Sequence, residues 1–549
     1  MSKFYLEPKF FSVIKSTTKE QLVKDIISGI IVAIIALPLS IALALASGVS
    51  PEQGIYTAIA AGFVVSLLGG SRIQIAGPTA AFATIVAGIV ASQGMDGLFI
   101  ATVMAGILLI LMGIFKFGAL IKFIPYTITT GFTAGIAVTI LIGQIKDFLG
   151  LTYAEGVKPI ETIEKIEANI DAMGTFSWQS LLVGAVCLAI LIIYPKIEKK
   201  IPPSLIAVIV GALMVKFIPG LDEGVFTIGE LYTIPSGLPK VDFSSFDLSF
   251  DKIKAVLPSA FTIAVLAAIE SLLSCVVADG MVSSKHNPNA ELLAQGVANI
   301  ASVFFGGIPA TGAIARTAAN AKNGGRTPIA GMVHSIVLLL VLLLLMPLAG
   351  LIPMPTIAAI LFIVAYNMSE WRKFVRTVKT APVFDILVMV VTFLLTVIFD
   401  LVVAIEVGMI LTAVLFLKRM SDESSIKRWE NSTNDDKSMI IPEETLVYEI
   451  NGTMFFGAAD KIAEIAPSDS TKYLILRMGS VNAIDATALS ALEALVNICS
   501  QKGISVLIAH LNDQPLAALK KAGLYEKIGA DNIHPHIGSA IAAVSASHK

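Results

Sequence analysis

Residues 69–90, GGSRIQIAGPTAAFATIVAGIV, and residues 306–325, GGIPATGAIARTAANAKNGG, are built alike. Each opens on a glycine pair, passes through a few residues suited to extended backbone, and continues as a short helix of small side chains. On either side lie apolar stretches long enough to cross a bilayer at roughly 20 residues apiece. They fall at about 27–47, 54–70, 97–115, 126–145, 178–195 and 202–219, then at 255–279, 291–306, 327–350, 353–369, 381–399 and 401–418. With both interrupted pieces counted, the chain makes about fourteen crossings and returns to its starting side. The interrupted pieces are the third crossing of each half. That placement predicts a seven-plus-seven inverted repeat in which two half-helices meet near the bilayer midplane. The plainer alternative is that Gly69, Gly70, Gly306 and Gly307 only let helices approach closely.

Composition supports a polytopic α-helical membrane protein. The 549 residues are 55% hydrophobic and 15% charged, with mean hydropathy +0.82, more apolar than a soluble globular surface tolerates. The 42 glycines and 24 prolines fall largely within the apolar stretches, so interrupted helices are expected where freed backbone groups are satisfied by protein or line a cavity. A net charge of −2 carries no basic bias toward nucleic acid. No Walker loop supports ATP-driven pumping. Cys187, Cys275 and Cys499 form no CxxC pair, and neither they nor the six histidines make a metal or redox motif. His534 and His536 fall in a tail expected to be mobile.

Basic residues of short loops set orientation. With the polar N-terminal leader inside, Arg72, Lys116, Lys122, Lys196, Lys199, Lys200, Lys285, Lys322, Arg326, Arg372, Lys373, Arg376, Lys379, Lys418 and Arg419 are all cytoplasmic. Both termini are then cytoplasmic, in a multi-pass inner (plasma) membrane protein. The expected division is a leader at 1–24, a transmembrane domain at 25–419, a linker at 420–438 and, where apolar runs begin to alternate with helix-period segments, a soluble α/β domain at 439–549.

Two half-helix N-termini aimed at one spot present unpaired amides and two positive dipole ends, which suits an anion. Pro78 fits the opening position of the first helix; Thr79, Ala80 and Ala81 supply a hydroxyl and amides, and Thr311 to Ile314 do the same in the second. Arg316, one turn further on, is costly at membrane depth and is expected to face a cavity and pair with an acid or a substrate. Its alternative is to snorkel toward the cytoplasm with Lys322 and Arg326. Glu270 lies mid-span with Ser274 one turn on, on the same helical face. Such a carboxylate could carry a proton, ligate sodium with Ser274 and carbonyl oxygens, or hold Arg316 in place. Asp400 and Glu406 flank the last span as interfacial residues.

Several stretches resemble the sulfate permease (SulP) family of anion transporters: residues 25–58 (DIISGIIVAIIALPLSIALALASGVSPEQGIYTA), 69–81, 267–281 (AAIESLLSCVVADGM) and 306–320. The tail, with NAIDATALSALEAL at 482–495, looks like a STAS domain. The resemblance covers nearly the whole chain. It implies core and gate domains, an elevator-like motion, a homodimer, and an anion bound by Thr79, Ala80, Ala81, Ala313, Ile314, Ala315 and Arg316. Glu270 matches the family's acidic position near the substrate, an Asp in sodium-linked members, and Ser274 stands where they place a threonine. In STAS domains the loop before a helix carries a phosphorylatable hydroxyl; here that position is Thr487, although ordinary N-capping by Asp485 also explains the loop.

The resemblance also implies secondary transport of a small anion rather than catalysis, with no cofactor beyond a proton or sodium as coupling ion. The stretch from residue 267 to 300 looks most like a branch associated with dicarboxylate uptake, with sulfate or bicarbonate next. The expectation is proton-coupled uptake of a C4-dicarboxylate such as succinate. The alternatives are a sodium-coupled bicarbonate or sulfate transporter, or an uncoupled exchanger or channel. A cytoplasmic protein or nucleotide is a conceivable ligand of the tail.

Overall fold

The structure, a computed structural model, describes residues 6–119, 125–157, 159–198, 201–232, 249–399, 401–429, 440–468 and 470–547. Lys122, Lys199, Lys200, Asp400 and the expected domain junction at 439 lie outside them. The chain forms two compact units, Met1–Met409 and Ile410–Lys549.

The first unit is helical. Its first half contains α1 (Lys19–Ala46), α2 (Pro51–Leu68), the two-residue strand β1 (Ala76–Gly77), α3 (Ala80–Ile114), α4 (Tyr126–Gly143), α5 (Trp178–Ile197) and α6 (Pro203–Phe217). Its second half contains α7 (Phe250–Val282), α8 (Pro288–Phe304), β2 (Thr311–Gly312), α9 (Ile314–Lys322), α10 (Ile329–Leu344), α11 (Met354–Ser369), α12 (Trp371–Thr380), α13 (Val383–Ile398) and α14 (Leu401–Glu423), which continues past Met409. Helix α3 breaks at Gly94, whose φ of 74° a side chain would oppose. Its part before Gly94 is a half-helix and the part after it a full crossing. With that break counted, and surface helix α12 and the short helices of ten residues or fewer outside the half-helices set aside, each half supplies seven helical segments among the described residues, and the third of each is a half-helix. The expected seven-plus-seven arrangement is therefore the observed one.

Local chemistry explains the helix starts. Thr18 caps α1 by accepting from the Gln21 amide, and Ser50 with Gln53 forms a capping box before Pro51 opens α2. Among the described residues, five helices are long and apolar enough to span a membrane unaided, including α1, α3, α5 and α7. Large apolar side chains stay exposed on the outside of the unit, including Ile107 and Leu111 on α3, Ile192 and Ile193 on α5 and Leu340 on α10. Inside, small residues bring backbones together: a Cβ on Gly296 of α8 would lie 2.5 Å from the carbonyl oxygen of Gly106 on α3. Helices α1, α2, α3, α7, α8, α9 and α10 pack among themselves, and α4, α5, α6, α11 and α13 form a second set. Between the sets lies a cavity of about 360 Å³, lined by Ile31, Ile35 and Leu39 of α1, Leu191 of α5, and Ile360 and Val364 of α11.

The second unit carries a five-stranded sheet in the order β3 (Ser425–Trp429), β4 (Thr445–Asn451), β5 (Tyr473–Ser480), β6 (Ser505–Ala509), β7 (Ile533–His534). The β3–β4 pair is antiparallel and the others are parallel. Alternating side chains feed two layers. Leu474, Leu476 and Ile508 face α15 (Ala486–Gln501) and Leu519 of α16 (Asp513–Lys521), while Val447, Ile475 and Leu507 face Ala540, Ile541 and Val544 of α17 (Ile537–Ser547). Two expectations change here. Residues 425–429, read as linker, are the edge strand of this sheet, and the tail read as mobile is tied down by the apolar face of α17.

Candidate functional site

The two half-helices are joined at their entrances. Strands β1 and β2 pair antiparallel, Ala76 opposite Gly312 and Gly77 opposite Thr311, and the Ala313 amide donates to the Ile75 carbonyl at 2.8 Å. Each strand ends at an N-cap: Thr79 before Ala80 of α3, and Ala313 before Ile314 of α9. Neither N-cap side chain bonds to its own helix. Two helix N-termini thus sit side by side without side-chain caps, which leaves first-turn amides and two positive dipole ends for a ligand.

Thr79 is half-buried, and its hydroxyl donates instead to Glu270 Oε2 on α7 at 2.9 Å. Ala80 and Ala81 are buried in the first turn of α3, and Ala313 is buried at the start of α9, while Ile314 and Ala315 are exposed. The candidate residues of the two half-helices and Glu270 therefore converge. Ser274 does not join the carboxylate. It is buried and donates to Thr317 Oγ1 of α9 at 3.3 Å, and Thr317 Oγ1 in turn accepts from the Ile75 amide at 3.0 Å.

Arg316 neither pairs with an acid nor snorkels toward the surface. It is 1% exposed, and its Nη2 donates to the carbonyl oxygen of Pro78, the residue before the first N-cap. A Cβ on Gly77 would lie 2.4 Å from Arg316 Nη1. Among the described residues it pairs with no acid, and Nε and Nη1 make no hydrogen bond. The reason is directional. Side chains in a helix lean toward its N-terminus, so an arginine in the first turn of α9 folds back along β1 and braces the other half-helix from behind. Glu270 accordingly does not hold Arg316; its described partner is Thr79.

Interrupted backbone in a membrane unit must be satisfied by protein, and the residues that do this were missed in sequence. Ser271 of α7 accepts from the Gly312 amide at 3.1 Å, and its hydroxyl lies 2.7 Å from Thr311 Oγ1. Glu291 of α8, fully buried, accepts from the Gly70 and Ser71 amides and from the side chains of Gln74 and Gln295, at 2.9–3.3 Å. Asn299 holds Ala310 through both its amide and its carbonyl, each at 2.9 Å. Asn320 donates to the Ile73 carbonyl and accepts from Ser28 of α1. The available signal was the four-residue spacing of Glu291, Gln295 and Asn299, a polar stripe along an otherwise apolar span.

In the second unit, Asp485 caps α15 by accepting from the Ala488 amide at 2.9 Å, and its other oxygen accepts from the Phe456 amide at 2.9 Å. Thr487 is exposed in the first turn of that helix.

Compared with known proteins, residues 22–392 match the sulfate permease family and residues 436–540 match the STAS domain. A Bacillus subtilis protein, YvdB, provisionally named a sulfate transporter, is 40% identical over 96% of this chain and 99% of its own. The bicarbonate transporter BicA of a Picosynechococcus strain is 31% identical over 95% of this chain and 97% of its own. The structure of the murine Slc26a9 anion transporter superposes with a TM-score of 0.89 at 17% identity, covering 100% of this chain and 96% of that one, and so shares the fold.

Proposed function

This chain belongs to the sulfate permease family, with a C-terminal STAS domain, and on that premise we propose that it takes up a small inorganic oxyanion, sulfate or bicarbonate, together with a proton. Membership makes it a secondary anion transporter rather than an enzyme. The choice of substrate rests on relatives named for sulfate and bicarbonate. They favour the inorganic alternative over the C4-dicarboxylate expected from sequence.

One observation carries the reading: two uncapped half-helix N-termini side by side, with the Glu270 carboxylate bonded to the N-cap hydroxyl of the first. The amides and dipoles attract the anion, and Arg316 adds positive charge behind them without occupying the site. A charged Glu270 beside the same N-cap opposes the anion, since like charges in a low-dielectric site repel strongly. A proton on Glu270 removes that opposition. Anion and proton then favour each other, the energetic condition for symport. Sodium coupling is less well supported because Ser274 is engaged by Thr317 and not turned toward the carboxylate.

Movement follows from the division into helix sets. The half-helices, α7 and Glu270 belong to one set, and the apolar cavity against α5 and α11 offers a surface along which that set slides as an elevator-like body. The basic short loops support a cytoplasmic location for both termini.

The test is uptake of labelled sulfate, bicarbonate and succinate into proteoliposomes under imposed proton or sodium gradients, for the native protein and Glu270→Gln. Sulfate or bicarbonate uptake driven by the proton gradient, with loss of that drive but retained anion exchange in Glu270→Gln, is the expected result. Succinate preference would restore the dicarboxylate reading. A sodium requirement would move the coupling ion to the alternative, and gradient-independent flux would make the protein an exchanger or channel.

A further inference from the structure

Helix α12, residues 371–380 (WRKFVRTVKT), joins two crossings, α11 and α13, and so lies at one membrane surface. The chain turns into it at Glu370, a non-glycine residue held at φ 40°, ψ 37°, and leaves it through extended Ala381 and Pro382. At 100° per residue its side chains fall into three edges. One edge meets protein: Thr377 is buried, Phe374 packs on Phe393 of α13 at 5.5 Å between ring centroids, and Lys373 bonds to Glu370 and covers the Tyr126 ring. A second edge is apolar and uncovered, with Trp371 47%, Val375 41% and Val378 40% exposed. The third is basic and exposed. Arg372 lies over the Trp371 ring at 5.4 Å, and Arg376 and Lys379 make no ion pair among the described residues.

A helix that is only half anchored to protein, uncovered on an apolar edge and cationic beside it, has the make-up of an interfacial helix. The sign of its charge chooses the lipid. Residues Thr162–Asp171, in the long loop between α4 and α5, form another helix with an exposed apolar row, Ile163, Ile166 and Ile170. That helix carries Glu164, Glu167 and Asp171, which repel anionic headgroups. Of these two helices, α12 is the one whose exposed charges are complementary to them.

We propose that α12 is an anionic-phospholipid site. Trp371, Val375 and Val378 enter the boundary between headgroups and acyl chains, and Arg372, Arg376 and Lys379 hold the phosphate of a negatively charged lipid. Because α12 connects α11 and α13, which both pack on α4, lipid seated there ties their ends together.

The experiment compares full-length protein with R372Q/R376Q/K379Q in nanodiscs of mixed phosphatidylglycerol and phosphatidylcholine, with retained lipid read by extraction and mass spectrometry. Native protein is expected to retain phosphatidylglycerol over phosphatidylcholine, and the triple variant to lose that preference by about tenfold, as three weak surface charges allow. R372K/R376K, which keeps the charge, should retain most of it. An unchanged melting temperature in the triple variant separates lost lipid from lost fold; if that variant unfolds, R372Q and K379Q made singly should each lose part of the preference. Equal retention of both lipids by native protein, or undiminished preference in the triple variant, overturns the proposal. So does displacement of the lipid by millimolar inorganic phosphate, which would mark a free-anion site.

Discussion

The first and second half-helices enter by the same backbone device, a two-residue strand followed by an uncapped helix start, yet they are supplied with opposite chemistry. The first begins at Thr79, whose hydroxyl is committed to the Glu270 carboxylate. It runs on through Gly94 into a full crossing. The second begins at Ala313, has no hydroxyl at its start, ends at Lys322, and carries Arg316. That arginine reaches back to the first half-helix, at the carbonyl of Pro78. Duplication thus accounts for the shared geometry of the two entrances. Divergence accounts for its sidedness: the acid that can neutralise serves one entrance, and the fixed positive charge is carried by the other.

Changes that separate the paired entrances should have the largest effect. At Gly312 a Cβ would fall 1.8 Å from Gln74 Nε2, displacing a side chain that donates to the Ser271 carbonyl and to Glu291. Gly312→Val is expected to abolish transport and lower the melting temperature, since crowding a packed site costs about 1–3 kcal/mol before hydrogen bonds are lost. Gly77→Ala meets the end of the buried Arg316 side chain instead and adds backbone strain at φ 156°; it should reduce uptake with a smaller loss of stability. Equal effects from the two substitutions would show that the entrances are interchangeable.

Next in size is removal of the charges themselves. Arg316→Met leaves the Pro78 carbonyl without its described donor and takes the positive charge from behind β1. Loss of a hydrogen bond to a charged group costs about 1.5–3 kcal/mol of stability, and loss of the positive charge behind the two N-termini predicts a higher anion KM, read in transport assays at fixed proton gradient. Glu291→Gln tests the scaffold. It replaces one of two carboxylate oxygens, each accepting two contacts, by an amide nitrogen that accepts none, and should cost about 1–3 kcal/mol of thermal stability while leaving KM near native. A changed KM with unchanged stability would instead place Glu291 in the anion site.

These contrasts also explain what could be read beforehand. The glycine pairs, the apolar spans and the mid-span Glu270 are local features, and they lead to the interrupted helices, the paired entrances and the candidate carboxylate. The direction of Arg316 is not local: its position on α9 is visible, but the carbonyl it meets lies 238 residues away. The partners of Glu291 in the 70–74 loop are separated from it by 217–221 residues, so only the Glu291, Gln295, Asn299 spacing hinted at them. Strand β3 was hidden for a different reason. As a half-exposed edge strand reading SIKRW, it has no buried alternation to set it apart from a charged linker.

The smallest expected effect falls on the N-cap position, where one entrance has a hydroxyl and the other has none. Ala313 stands at the N-cap of α9, buried, and unlike Thr79 it has no carboxylate to engage a hydroxyl placed there. In Ala313→Ser the new oxygen is free to accept from an amide of its own first turn, the ordinary behaviour of serine at an N-cap and worth about 0.5–2 kcal/mol. An amide so satisfied is withdrawn from the anion. The variant should therefore be as stable as the native protein or slightly more so, with an anion KM a few-fold higher and the proton dependence untouched, because Glu270 is not altered. Thr79→Ser, which keeps the hydroxyl already committed to Glu270, should change neither. If Ala313→Ser leaves KM unchanged, the first-turn amides of α9 do not contact the anion, and binding rests on the Thr79 entrance alone.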